Sequence, residues 1–166
     1  MSVRIRSSVT KIKGLKMKIE LKNVKHSKFA SQETDCFEAT VYIDGKKEGT
    51  VFNNGNGGCN SYHPWSLEEK LKEYAKTLPA MDMSYLFKDG EVHTMEHDAD
   101  TVIGDLFTKH LQKKDCAKKV MFRIPNFNYS HNDEYHVIKE KYTPDVKKEL
   151  IQKYGKEVFI LNEQFV

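Results

Sequence analysis

The stretch that decides the fold runs from Cys36 to Phe52 and reads CFEATVYIDGKKEGTVF. Apolar residues occupy every second position of its first half: Phe37, Ala39, Val41 and Ile43. That period of two is typical of a strand with one buried face. Asp44-Gly45 interrupts the alternation before Glu48 to Phe52, and Asp-Gly readily adopts the positive φ angles of a two-residue turn. The stretch therefore predicts an antiparallel β-hairpin.

A strand is also predicted ahead of this hairpin, because the same alternation begins at Lys16. One side carries Met17, Ile19 and Leu21, and the other carries Lys16, Lys18, Glu20 and Lys22. Together with the hairpin, this strand predicts an antiparallel meander of about three strands in the first third of the chain.

Helical spacing follows the meander. Ser66 stands three residues before Glu69, which is the arrangement of a capping box, and Trp65 is expected to pack beside it as a hydrophobic staple. Pro79 is expected to end this helix. A second helix is predicted with Asp98 or Asp100 as its N-cap, and its buried stripe consists of Val102, Ile103, Leu106, Phe107 and Leu111.

The C-terminal third predicts a strand at Val120 to Ile124, a partner strand at Tyr135 to Tyr142, a helix and a last strand. The helix follows Thr143-Pro144, a cap with proline at the first helical position, and stops at Gly155. Val158 to Leu161 is continuously apolar, which predicts a strand buried on both faces. The last strand, helix and strand favour a βαβ-like unit.

These elements predict an α+β fold in which residues 1–166 form a single domain. Its parts are an N-terminal antiparallel β-meander, two helices, and a C-terminal β-hairpin or βαβ-like unit. Its basic N-terminal arm or first strand covers residues 1–28.

The charge of the chain is unevenly distributed. The formal net charge is only +3 over 166 residues. Nine basic residues and one acid give residues 1–28 a charge of +8, whereas the remaining 18 basic and 23 acidic residues give −5. A basic surface of this kind favours an anionic partner, although the two parts could equally pair with each other, within one fold or between the subunits of a homo-oligomer. The basic surface residues singled out are Arg4, Arg6, Lys11, Lys13, Lys16 and Lys18.

The sequence favours the cytoplasm. Cys36, Cys59 and Cys116 are widely spaced, odd in number and form no CxxC pair, which fits a reducing compartment. The chain has no apolar run of signal-peptide type, and nowhere do 18 apolar residues stand together, so no membrane association is expected.

A glycine- and asparagine-rich loop follows the hairpin. Within it, Asn54, Gly55, Asn56, Gly57 and Gly58 allow positive φ angles, so successive amides could point at one anion. His63 follows in the same segment, four residues after Cys59. The loop lacks the end of a Walker A motif, and the strand before it belongs to a hairpin. It predicts either a structural turn or a loop that contacts a partner or a nucleotide-like ligand.

Residues 93–97 read HTMEH and match H-x-x-E-H, an inverted zinc-protease pattern in which two histidines one helical turn apart bind Zn²⁺. His93 and His97 are therefore candidate metal ligands, with Glu96 as the base. The segment follows Gly90 and precedes the predicted helix cap, so we expect it to be extended rather than helical, which argues against a catalytic zinc.

A third candidate is a basic and aromatic surface for nucleic acid. The N-terminal basic residues, the lysines from Lys109 to Lys119, and Phe127, Tyr129 and His131 combine the side chains that bind phosphates and stack on bases. Whether these clusters share one face is a question for the tertiary structure.

The chain resembles a group of small uncharacterised phage and bacterial proteins. The resemblance rests on FASQET at 29–34, CFEATVY at 36–42, the Asp44-Gly45-Lys46 turn, NGNGG at 54–58, His63-Pro64 and ILNE at 160–163. That group implies no activity and no functional residue. It implies a small accessory gene whose product acts by binding a component of the host.

No catalytic constellation stands out, and no cofactor is predicted. The sequence therefore favours a non-enzymatic binding protein, such as a phage-encoded inhibitor of a host defence or nucleic-acid-processing component, with a host protein or nucleic acid as its partner. Its contact surfaces would be the basic N-terminal surface and the Gly/Asn-rich loop. The alternatives are a zinc-dependent hydrolase at the HxxEH motif and a nucleotide or small-molecule sponge at the loop.

Overall fold

The computed structural model describes residues 17–87, 89–129 and 134–166. The chain divides into two compact units, Met1–Leu78 and Pro79–Val166. The fold is α+β and begins with an antiparallel β-meander, as the sequence predicts.

The N-terminal unit contains four strands followed by a helix: β1 (Ile19–Ser27), β2 (Cys36–Ile43), β3 (Lys46–Asn54), β4 (Ser61–His63) and α1 (Trp65–Ala75). The strands pair in chain order as one antiparallel sheet. Asp44 and Gly45 have φ angles of 50° and 81°, so the β2–β3 turn forms as predicted. The short strand β4 was not predicted, because its polar sequence carries no alternation.

The buried face of this sheet carries the apolar half of the alternating pattern. Ala39, Val41 and Val51 are each at most 1% exposed. The buried side of α1 carries Leu67, Leu71 and Ala75 at helical spacing. Burial of these side chains is the main stabilising contribution expected for a unit of this size.

The predicted start of α1 was wrong. The helix begins at Trp65, with Pro64 as an N-cap that makes no side-chain hydrogen bond, so Ser66 lies inside the first turn and forms no capping box. Trp65 is 68% exposed rather than packed as a staple. Proline at the cap fixes an extended approach, and the helix therefore starts ahead of the serine.

The C-terminal unit contains β5 (Met81–Asp82), β6 (Thr94–Met95), α2 (Ala99–Cys116), β7 (Val120–Arg123), β8 (His136–Ile138), α3 (Pro144–Tyr154) and β9 (Phe159–Ile160). Strands β5 and β6 form a two-stranded antiparallel ribbon.

Both predicted caps of this unit are confirmed, and Asp98 rather than Asp100 caps α2. The Asp98 carboxylate accepts the Thr101 amide at 2.7 Å, and the Thr101 hydroxyl accepts the Asp98 amide at 2.8 Å. Thr143 caps α3, and Gly155 ends it with a φ of 91°.

The C-terminal sheet has the order β8-β7-β9, with both outer strands antiparallel to β7. The unit from β8 through α3 to β9 therefore joins two parallel strands that are separated by β7. Its core is formed by Val120, Phe122, Leu150 and Ile160. The prediction that the last strand is buried on both faces was wrong, because Phe159 is 41% exposed while Ile160 is 3% exposed.

Within the described residues, no helix has the length and apolar character needed to cross a membrane.

Candidate functional site

The outer face of the N-terminal sheet is built from three rows of side chains that follow from the strand register. One row reads Lys22, Thr40, Thr50 and His63, and the next reads Lys25, Glu38, Phe52 and Ser61. The third row reads Ser27, Cys36 and Asn54. Because paired residues share one face of a sheet, these rows place the predicted site residues Asn54 on β3 and His63 on β4 on the same face as the lysines of β1.

A bulge in β1 allows two of these lysines to share the face. Lys22 pairs with Thr40 and Lys25 with Glu38, and the register shifts between the two lysines, where Asn23 has a φ of 52°. In a regular strand, residues three apart point to opposite faces. The extra residue of the bulge restores Lys25 to the outer side.

The outer face is both basic and aromatic. Side chains of Lys18 and Lys25 are 71% and 77% exposed, and Phe52 is 47% exposed. Lys22 Nζ lies 4.3 Å from the ring centroid of Tyr42. Two acids share this face: Glu20 Oε1 lies 3.2 Å from Lys18 Nζ, and Glu38 Oε2 lies 3.9 Å from Lys25 Nζ. Exposed ion pairs of this kind are weak.

A depression of about 530 Å³ lies at the end of this face where β1, β2 and β3 meet. It brings the basic strand and the Asn/Gly loop together, since its lining includes Lys25, Phe52, Asn53 and Asn54. The depression thus joins one lysine of β1 to the edge of the Asn/Gly loop; of the six basic surface residues singled out from the sequence only Lys18 is described, and it is not part of this lining.

The Asn/Gly loop, residues 53–60, is held by the side chain of Asn53, which is only 8% exposed. Its Oδ1 accepts the Thr34 hydroxyl at 2.8 Å and the Gly55 amide at 2.9 Å. Its Nδ2 donates to the Gly58 carbonyl at 3.1 Å and to Asn60 Oδ1 at 3.2 Å. A buried amide with partners on both ends fixes one loop conformation.

The loop amides are directed inward rather than gathered around an outside anion. Gly55 donates to Asn53, Asn56 to Asn54 Oδ1 at 3.3 Å, and Gly57 to the Thr34 hydroxyl at 3.3 Å. The converging amides are on the facing segment instead, where residues 32–34 all donate to the Gly55 carbonyl at 2.9 to 3.3 Å. A phosphate would have to displace these bonds, so the geometry favours the structural-turn interpretation of residues 55–57.

Glycine is required at Gly55 by space as well as by conformation. Its φ is 82°, and a Cβ there would overlap the backbone carbonyl oxygen of Ala30. Gly49 plays a similar role in β3, because a Cβ there would overlap the His63 carbonyl oxygen, so β4 can approach closely enough to bring His63 to the outer face.

The HxxEH motif does not form the helical geometry of a zinc protease. Residues 94 and 95 form β6, and α2 begins only at Ala99. His93 Nε2 instead lies 2.7 Å from Asp89 Oδ2, and its ring stacks on Phe87 at 3.9 Å between centroids. The pKa of the Asp89 carboxyl is lowered first by the hydrogen bond from the Glu91 amide and then by the hydrogen bond with His93.

In the described part of the chain, three potential ligand atoms meet at Asp89, Glu91 and His93, within 4.8 Å of one another. Glu96 and His97 are outside this group. The two histidines of the motif therefore do not share a ligand set.

The remaining predicted residues are distributed as follows. Arg4, Arg6, Lys11, Lys13 and Lys16 lie outside the described residues, as does His131. The lysines from Lys109 to Lys119 lie on α2 and just after it, in the C-terminal unit. Phe127 and Tyr129 also belong to that unit, where their rings pack at 4.8 Å.

Phe52 was missed by the sequence analysis, although a signal was present. In β3, Val51 and Asn53 are buried, so the side chain of Phe52 between them points to the opposite, outer face of the sheet. The alternation of the strand alone therefore places the Phe52 ring on the outer face of the sheet.

Comparison with protein-family models, with curated proteins and with solved structures found no match.

Proposed function

We propose that this protein is a non-enzymatic binding protein that holds a single-stranded nucleic acid on the outer face of its N-terminal sheet. The observation that carries the proposal is the exposed ring of Phe52 on the same face as Lys22 and Lys25 of β1 and His63 of β4. Single strands are bound by cations that follow the phosphates and by aromatic rings on which bases stack.

The spacing of the face suits a strand of nucleotides. Lys22 and Lys25 pair with Thr40 and Glu38, which are two residues apart on β2, so the two lysines are separated along the sheet by roughly 7 Å at the rise of a β-strand. They begin rows that reach His63 on β4 and Phe52 on β3, so the cations line the β1 edge of the sheet and the rings lie two and three strands away on the same face. The five basic residues of positions 1–16 add positive charge immediately ahead of β1.

This function is consistent with the expected inhibition of a nucleic-acid-processing component. A small protein that occupies a strand withholds it from enzymes that need the same bases and phosphates. The Asn/Gly loop serves in this proposal as a rigid border of the surface, with Asn54 at its edge, rather than as an anion nest.

The test is fluorescence anisotropy with a labelled 20-nucleotide oligo-dT, its RNA counterpart and a duplex, at 50 and 200 mM NaCl. We expect the single strands to bind more tightly than the duplex, and more weakly at the higher salt. Each phosphate contact contributes about 0.7 to the salt slope of a single strand, so Lys22→Gln with Lys25→Gln should reduce the slope by about 1.4.

A matched control is available on α2, where Lys113→Gln with Lys114→Gln removes the same charge from the other unit and should leave binding nearly unchanged. Phe52→Ser should weaken binding by about 1 to 3 kcal/mol through lost stacking, without a change of salt slope. The proposal fails if no single strand binds at 50 mM NaCl, or if the two double variants weaken binding equally.

A further inference from the structure

A second pocket, of about 380 Å³, opens between the C-terminal sheet and α3. Its apolar wall is formed by side chains of β7, β8 and α3: Phe122, Ile138, Val146 and Leu150. Phe122 and Leu150 are each 4% exposed and belong to the core of this unit, so the wall is a fixed part of the fold. The volume is within the range of small-molecule sites.

Two opposite charges, Glu149 and Lys153, stand at the mouth of this pocket, one helical turn apart on α3. Glutamate four residues ahead of lysine is the spacing at which such side chains pair. Other acidic residues that lie three or four positions ahead of a lysine do form ion pairs: Glu68 with Lys72 at 2.8 Å, Glu73 with Lys76 at 2.6 Å, Asp115 with Lys119 at 3.0 Å, and Asp145 with Lys148 at 3.4 Å.

Glu149 and Lys153 remain apart. No ion pair joins them in the described structure, and Lys153 Nζ lies 5.1 Å from the ring centroid of Tyr154. The Cα atoms of Glu149 and Lys153 are about 6 Å apart along the helix axis. A carboxylate and an ammonium on the same side of α3 thus line a pocket with an apolar wall.

The wall also contains a polar atom without a partner. His136 lines the pocket, and its Nε2 is buried and finds no hydrogen-bond partner among the described residues. A buried polar atom of this kind is destabilising unless a partner satisfies it. The lining therefore combines polar with apolar side chains.

We propose that this pocket binds a free α-amino acid with an apolar side chain. The ammonium group of the ligand faces Glu149, its carboxylate faces Lys153, and its side chain lies against Phe122, Ile138 and Leu150. A zwitterion whose two charges sit on one carbon matches two opposite charges one helical turn apart, whereas a plain fatty acid or a plain amine would leave one of them unmatched.

Isothermal titration calorimetry of the full chain with L-leucine tests this site, with 4-methylpentanoate and 3-methylbutylamine as ligands that lack one charge each. We expect leucine to bind and each comparator to bind at least tenfold more weakly. L-alanine should also be at least tenfold weaker, because it leaves the apolar wall uncovered.

Glu149→Gln and Lys153→Gln should each lower the affinity for leucine at least tenfold. Lys148→Gln, a neighbouring charge change on the same helix, should not. The proposal is overturned if about 10 mM leucine produces no binding heat, if 4-methylpentanoate binds as well as leucine, or if all three variants bind leucine like the unaltered protein. Circular dichroism of each variant shows whether its fold is intact.

Discussion

The buried side chain of Asn53 permits a sharp test of what holds the Asn/Gly loop at the edge of the sheet. Asn53→Asp preserves the shape of the side chain and the acceptor that receives the Thr34 hydroxyl and the Gly55 amide. It replaces the donating Nδ2 by an oxygen, which would face the Gly58 carbonyl across 3.1 Å and Asn60 Oδ1 across 3.2 Å. Two hydrogen bonds thereby become two contacts between acceptors.

The magnitude follows from those contacts. Each lost hydrogen bond costs about 1 kcal/mol, and the carboxylate oxygen left without a donor adds about 1 to 3 kcal/mol. The expected loss in the free energy of unfolding at pH 7 is therefore about 3 to 5 kcal/mol. Because the folded state favours the protonated form, the pKa of the introduced carboxyl rises above its unfolded value of about 3.9, and the loss shrinks as the pH falls toward that value.

Urea unfolding followed by fluorescence measures this loss, since Trp65 is the one tryptophan of the chain and begins α1 in the same unit. Asn54→Asp is the matched control. Asn54 is exposed, and its Oδ1 only accepts the Asn56 amide at 3.3 Å, which a carboxylate also does. That change should cost less than about 0.5 kcal/mol. Equal losses for the two substitutions at pH 7 would refute the assigned role of Asn53.

Three further outcomes are expected. Gly55→Ala should lower the free energy of unfolding by clearly more than Gly58→Ala. Both glycines have positive φ, but only a Cβ at Gly55 would overlap backbone atoms. Urea titration compares the two variants, and equal losses would contradict the steric argument. Burial, then the hydrogen bond to Glu163, raises the pKa of Tyr142 to about 12, so this group stabilises the fold below pH 10 and the contribution disappears as pH rises through 12. Absorbance titration at 295 nm should show Glu163→Gln lowering that pKa, and an unchanged value would exclude the contribution of the carboxylate. Among the three thiols, Cys59 should react first with a disulfide reagent, because it is the exposed one. Mass spectrometry of the partly labelled protein identifies the modified residue. A different first site would show that exposure does not set the order of reaction.

Much of the architecture was predictable from local chemistry. The β2–β3 hairpin, the Asp98 and Thr143 caps and the stop at Gly155 depend on residues adjacent in sequence, so their signals survive in the sequence alone. The capping box predicted at Ser66 did not form, because Pro64 is the N-cap and the helix starts before Ser66. This start also depends on a residue adjacent in sequence.

The candidate site was only partly predictable. The sequence indicated the basic first strand and the Asn/Gly loop as separate features. That they share a face depends on the register of β1 with β2 and on the bulge between Lys22 and Lys25, which compensates for a spacing that would otherwise turn one lysine inward. Register is set by pairing between distant segments.

The sequence by itself determined α1 to α3, the long strands β1 to β3 and the strong basic bias of residues 1–28, because these properties depend on neighbouring residues, whereas the short strands β4, β5 and β6 carried no local signal. The tertiary structure alone decided that the loop amides are consumed by internal hydrogen bonds, that His93 contacts Asp89 and Phe87 while His97 lies outside this group, and that Glu149 and Lys153 do not pair with each other beside the pocket they line. Each of these features depends on contacts between residues far apart in the chain or on the space around a side chain. Local sequence spacing encodes neither the contacts nor the space.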